Sequence, residues 1–232
     1  MNIKKFLWVF ASPALFAAAP QYKSPDITIP AASANEPVLQ LFSLIKADDY
    51  LEKGALAWTR KRGCVTCHTT GTYMQIRPAL TSVLGKPTEE IRQLFTGELA
   101  KFQKLKPDAF RKGTKPAEVI YTAAGLAEWD KHVTGKLSEE TEMALKLMFS
   151  IQKGNGTWDS LGCWPPFESS AYQEANVAAM AMAAAPTWLK KLDDEKLKSS
   201  VDRLKDYLRK TKPPHDYGRV LLLWTATFLP DL

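Results

Sequence analysis

Cys64, Val65, Thr66, Cys67 and His68 place two thiols three positions apart and an imidazole directly after the second. This is the spacing that holds a c-type haem. Each sulfur can add to one vinyl group of the porphyrin, and the adjacent His reaches the iron from one face. The chain has three Cys and three His in 232 residues. Composition alone would assemble the pattern in roughly 5 of 10,000 such chains. The pattern therefore assigns Cys64 and Cys67 as attachment sulfurs and His68 as the proximal ligand of a haem c. Two other chemistries use the same residues. Cys64 and Cys67 could act as a thiol pair beside an unrelated His, or all three could join Cys163 in a Cys₃His zinc site. For the other face of the iron, the candidates are His215, in a Pro-Pro-His turn, and Met74, six residues past His68.

The start of the chain helps to choose among these chemistries. Lys4 and Lys5 precede an apolar run from Phe6 to Ala19, broken by Ser12 and Pro13 and ending in small residues. This is the pattern of a signal peptide over 1–19, too short to span a bilayer. It predicts export to a periplasmic or extracellular space. Haem attachment takes place outside the bacterial cytoplasm, so export favours haem over zinc or a free thiol pair. The formal net charge is +6, from 31 basic and 25 acidic residues. Removing Met1 to Ala19 leaves 29 basic against 25 acidic, a net charge of +4 with both signs interspersed. That balance excludes a nucleic-acid footprint. A redox partner protein or a small ligand is the expected partner.

The elements that must position the motif read as helices. Residues 20–47, rich in Pro, Ser and Ala, predict an extended leader, and 48–232 a single helical domain. No segment alternates at period two, and helices are predicted over 48–62, 73–84, 88–105, 116–133, 138–152, 169–184, 194–210 and 216–229. The odd-numbered ones are amphipathic, with Tyr50, Leu51, Ala55 and Trp58 along one side of the first. The even-numbered include two that are apolar nearly all round, Asn176 to Pro186 and Val220 to Leu229, which need shelter on most sides. Thr88, Ser138 and the Asp193-Asp194 pair stand where capping oxygens are wanted, as do Asp48 and Asp49. Basic residues such as Arg60, Lys61 and Arg62 close the first helix, where they complement its dipole or could face haem propionates. An outer helix followed by an inner one, four times over, makes an all-α, two-layer helical-hairpin repeat. The Cys-x-x-Cys-His motif occupies the turn of its first hairpin.

Residues 145–158 carry a family likeness. Gln152, Gly156 and Trp158 match the Gln-x-x-x-Gly-x-Trp repeat of squalene–hopene cyclases and related prenyltransferase-like toroids, which this stretch resembles. The resemblance implies an α/α-toroid-like scaffold in which the Trp packs back on the helix end. With about four hairpins the toroid would be incomplete, an open arc or a fragment. The Asp-x-Asp-Asp acid of the cyclases has no counterpart here, so the resemblance implies fold without turnover.

Two function classes follow. One is an exported haem protein that transfers electrons or senses a small ligand. The other is an isoprenoid- or lipid-binding, degenerate cyclase-like protein, with Trp158, Trp164 and Trp224 as contacting aromatics and its cysteines on zinc or as a thiol pair. An open arc would also expose inner-helix surface to lipid or to a second copy of the chain.

Overall fold

The computed structural model describes residues 22–158 and 170–232, apart from 25, 30, 32, 39 and 112. The signal segment 1–19, Cys163 and Trp164 lie outside the described residues. The fold is all-α. Its only strands among the described residues, β1 (Tyr22–Ser24) and β2 (Ile27–Ile29), pair antiparallel, with Tyr22 opposite Ile29. The pair lies against the first helix, where Ile27 is buried with Ala57 and Leu56. Part of the expected extended leader is thus a short hairpin, with too few residues to show alternation.

α1 (Leu44–Arg62) starts four residues earlier than predicted, because Ser43 caps it and accepts from the Lys46 N–H at 3.3 Å. Asp48 and Asp49 are therefore inside the helix, and their expected capping role is wrong. Asp48 instead pairs with Arg77 at 2.6 Å, and Asp49 with Lys53 at 2.8 Å. The helix expected over 73–84 is three pieces: α2 (Thr70–Ile76), a 3₁₀ turn (Arg77–Leu80) and α3 (Thr81–Leu84). Pro78, which has no N–H to continue the ladder, accounts for the break. α4 (Glu89–Phe102), α5 (Lys115–Trp129), α6 (Glu139–Ser150), α7 (Ala171–Ala184), α8 (Glu195–Lys210) and α9 (Asp216–Phe228) follow the predicted spans closely. α5 runs on into a π-helical turn, Asp130–Thr134. Ser138 and Asp194 cap α6 and α8 through their side-chain oxygens, whereas Thr88 makes no such bond to α4.

The helices form two layers. α2 packs on α5, α5 on α7 and α7 on α9; beside them α1 packs on α4, α4 on α6 and α6 on α8. This is the alternation of outer and inner helices that the polarity of the segments calls for. α5 and α7, the middle inner helices, are buried on nearly every side. Phe95, Ile120, Leu126, Leu145, Met148 and Met180 interleave between the layers and are fully buried. The first inner piece, α2, and the first outer helix, α1, lie side by side. The Cys-x-x-Cys-His turn joins them.

Candidate functional site

α1 stops at Gly63, whose left-handed backbone (φ 64) returns its N–H to the Thr59 carbonyl at 2.9 Å and turns the chain. Arg60, in the last turn, is fastened by Glu90 at 2.7 Å and Asp26 at 2.5 Å. That end of the helix is therefore tied to two other elements, α4 and the β1–β2 turn. Beyond it the motif is tied to the start of α2 by short-range bonds. The Thr66 N–H donates to the Thr70 hydroxyl (3.3 Å), the Gly71 N–H to the Thr66 carbonyl (2.8 Å), and the Thr72 hydroxyl to the Cys67 carbonyl. The Thr66 and Thr69 hydroxyls also meet. Gly71 is required for close approach: a side chain there would run into the Thr66 carbonyl and the Tyr121 ring.

Cys64 and Cys67 are half-buried and not joined to each other. Burial pushes the Cys64 thiol up, while the nearby Trp58 indole pulls it partly back; Glu118, Glu98 and Lys115 also act on it. The Cys67 sulfur is 3.7 Å from His68 Nδ1 and within electrostatic range of Tyr121 and Tyr217. Lys115, Glu118 and Tyr121 follow one another along a flank of α5, so both sulfurs border that helix. His68 is exposed at its rim and meets Trp58 edge-on, with ring centroids 5.4 Å apart and planes at 78°. Partial burial lowers its pKa, so the imidazole is neutral near pH 7 and has a lone pair to offer a metal.

His68 also lines a cleft of about 260 Å³ between α1 and α2. Leu44, Ala47, Leu51, Ala55, Ile76 and Leu80 make most of its wall. Tyr50 and Leu51, on the side of α1 expected to be packed away, are 55 % and 59 % exposed. At the polar end lie the Asp48–Arg77 pair and Tyr73, whose hydroxyl is buried without a hydrogen-bond partner among the described residues. Burial and the nearby Glu52 and Asp48 carboxylates hold that phenol far above its ordinary range. An apolar slot with one polar end and a free imidazole at its mouth fits the edge of a flat, largely apolar cofactor. Two cysteines, not joined to each other, stand next to that imidazole in the chain. The residues present thus fit a covalently held haem.

Other predicted site residues fall elsewhere. Met74 is fully buried against Gly125 of α5, on the side of α2 turned away from the cleft, and is a core residue rather than a distal ligand. His215 caps α9, its Nδ1 accepting from the Gly218 N–H at 3.0 Å, and does not line the cleft. Trp158 is 1 % exposed and donates to the Met148 carbonyl at 2.9 Å, so it is core and not a lipid contact. The Gln152 amide donates to the Gly156 carbonyl (3.2 Å) and the Ser200 carbonyl (3.1 Å), tying that turn to α8. Trp224 is partly exposed on α9 and packs edge-on against Phe228. Among the described residues no group of three or more His, Cys, Asp or Glu is placed to hold a metal ion, and Cys163 lies outside them. No helix among the described residues is long and apolar enough to cross a membrane.

Sequence reading missed Trp58 as a neighbour of both Cys64 and His68, and missed the Asp48–Arg77–Tyr73 end of the cleft. The first had a local signal, an aromatic residue in the last turn before the motif. The second joins residues 29 apart and had none. Compared with family models, curated proteins and solved structures, the chain matches none of them.

Proposed function

We propose that this chain is an exported c-type haem protein, built on helical hairpins resembling those of the squalene–hopene cyclases, that passes single electrons or senses a small ligand. The observation that carries the reading is the Cys-x-x-Cys-His turn itself, two cysteines not joined to each other beside an imidazole that lines an apolar cleft. Cys64 and Cys67 would carry the thioether links and His68 would hold the iron, which supplies one-electron redox chemistry or a binding position for a small molecule.

The protein's own residues account for the remaining requirements. The Gly63 turn and the Thr66–Thr72 bonds hold the motif in one conformation before any cofactor arrives, so little chain entropy remains to be lost on attachment. The apolar walls of α1 and α2 keep water from one side of the site, which strengthens every electrostatic interaction there. The Asp48–Arg77 pair closes the far end with no net charge of its own.

Producing the full chain in cells that attach haem to exported proteins, then recording a pyridine haemochrome spectrum, tests the reading. A covalent haem signal is expected. It should be lost in the Cys64→Ala/Cys67→Ala double variant, and change axial-ligand character in His68→Ala. A chain with no haem but stoichiometric zinc, or with lipid co-purifying instead, would overturn it.

A further inference from the structure

Resting on the haem reading, a second question is what orients the imidazole. A metal-ligating His is normally held by a hydrogen bond from its other ring nitrogen to a carboxylate or carbonyl. Here His68 Nδ1 meets the Cys67 sulfur at 3.7 Å, a weak and long contact for either role. The ring instead stands edge-on to Trp58, centroids 5.4 Å apart at 78°, the arrangement in which the positive edge of one ring meets the negative face of the other. The Arg62 guanidinium also lies over the same indole, 5.6 Å from the ring centroid. The indole is also close enough to Cys64 to act on its sulfur. One side chain on a rigid helix therefore packs on the imidazole at one end of the pentapeptide and lies near the first sulfur at the other. Trp58 belongs to α1, which Arg60 fastens to Glu90 and Asp26, so its own place is fixed from outside the motif.

We propose that Trp58 is the positioning residue of this site: it sets the plane of the His68 ring and presents the Cys64 sulfur, in place of the usual hydrogen bond to the ligand imidazole. The two jobs separate by chemistry. The aromatic face orients His68 and survives in Phe; the N–H that meets Cys64 does not.

Wild type, Trp58→Phe and Trp58→Leu are compared as full chains produced with haem attachment. Three things are read: the share of chain carrying two thioether links rather than one, from the pyridine haemochrome band position; the reduction potential; and the electron paramagnetic resonance line shape of the ferric form. Circular dichroism checks that each variant keeps its helices. Trp58→Leu is expected to lower the doubly linked share by about tenfold, the low end of the cost of losing a ligand-orienting neighbour. It should also shift the potential and broaden the resonance lines. Trp58→Phe should restore the wild-type line shape and potential while leaving the Cys64 link incomplete. If Trp58→Leu matches wild type in all three readouts, the proposal fails and the haem reading stands. Should Trp58→Leu not fold, complete double attachment in Trp58→Phe still refutes the role assigned to the N–H. Wild-type chain without covalent haem overturns both.

Discussion

The charge state of single side chains at this site follows from what surrounds them. Cys64 is a half-buried thiol held above the ordinary thiol range by desolvation, with the Trp58 indole and, more weakly, Lys115 favouring its thiolate. In haem-free chain its alkylation by iodoacetamide should rise with pH along a curve displaced above that of a free thiol. Trp58→Phe should displace the curve further. A Cys64 that alkylates like free cysteine would contradict the burial argument. Glu128, on α5, is pushed up to about 7 by burial, with Lys131 pulling only partly back, and it faces His132 Nε2 at 3.2 Å. His132 is itself lowered by burial, so the pair is not a full ion pair near neutrality. A raised carboxyl means the folded state prefers the neutral acid. The penalty is nil below the ordinary carboxylate range, grows as pH rises through it, and is complete above about 7. Glu128→Gln should therefore match wild type in denaturant titrations near pH 4 and be more stable near pH 8 by on the order of 3 kcal/mol. Parallel stability curves would show that the carboxyl is not desolvated. At this scale the motif was legible and its neighbours were not. Cys64, Cys67 and His68 announce themselves by spacing, whereas Tyr73 and the Asp48–Arg77 pair become a site only when α1 and α2 lie side by side.

The element that matters most is the short helix after the motif. Its start is pinned by hydroxyl and carbonyl bonds from Thr66, Thr69, Thr70 and Thr72, and it lies so close to α5 that position 71 has no room for a side chain. Gly71→Ala should destabilise the fold by about 2 kcal/mol, as overpacking does in a well-filled interior. The same change should reduce covalent attachment at Cys67, because the Thr66 carbonyl must move. Unchanged thermal midpoint and unchanged attachment would show that α2 is free to shift. Helix boundaries illustrate what local sequence carries. Ser138 and Asp194 cap as their types and positions predict, because capping is a contact within one turn. Asp48 and Asp49 do not, because Ser43 starts α1 earlier and Arg77, distant in sequence, claims Asp48. Pro78 splits the second helix, a break that the apolar pattern on either side concealed.

Across the whole molecule, polarity sorts α5 and α7 to the inside and the helices with one charged face to the outside, but α9, expected from its apolar run to be sheltered on most sides, keeps one face exposed. What polarity leaves open is which apolar surfaces stay uncovered, and two of those among the described residues carry expectations. One is the α1–α2 cleft, where Tyr50, Leu51 and Ile76 are exposed around His68. The other is a stripe on α9, where Val220 and Leu223 are 64 % and 70 % exposed next to Trp224. The stripe should drive weak self-association: light scattering is expected to give an average mass that rises with concentration, and Leu223→Glu should abolish the rise. A wild-type chain monomeric at all concentrations would contradict that expectation. The cleft calls for a different occupant, since the His68 imidazole lines it and the two cysteines precede that residue in the chain. Intact mass spectrometry of chain exported from cells able to attach haem tests that claim most directly. The account predicts the mature chain plus the mass of one haem, retained under denaturing conditions and absent when Cys64 and Cys67 are both Ala. A denatured mass equal to the bare polypeptide would contradict it.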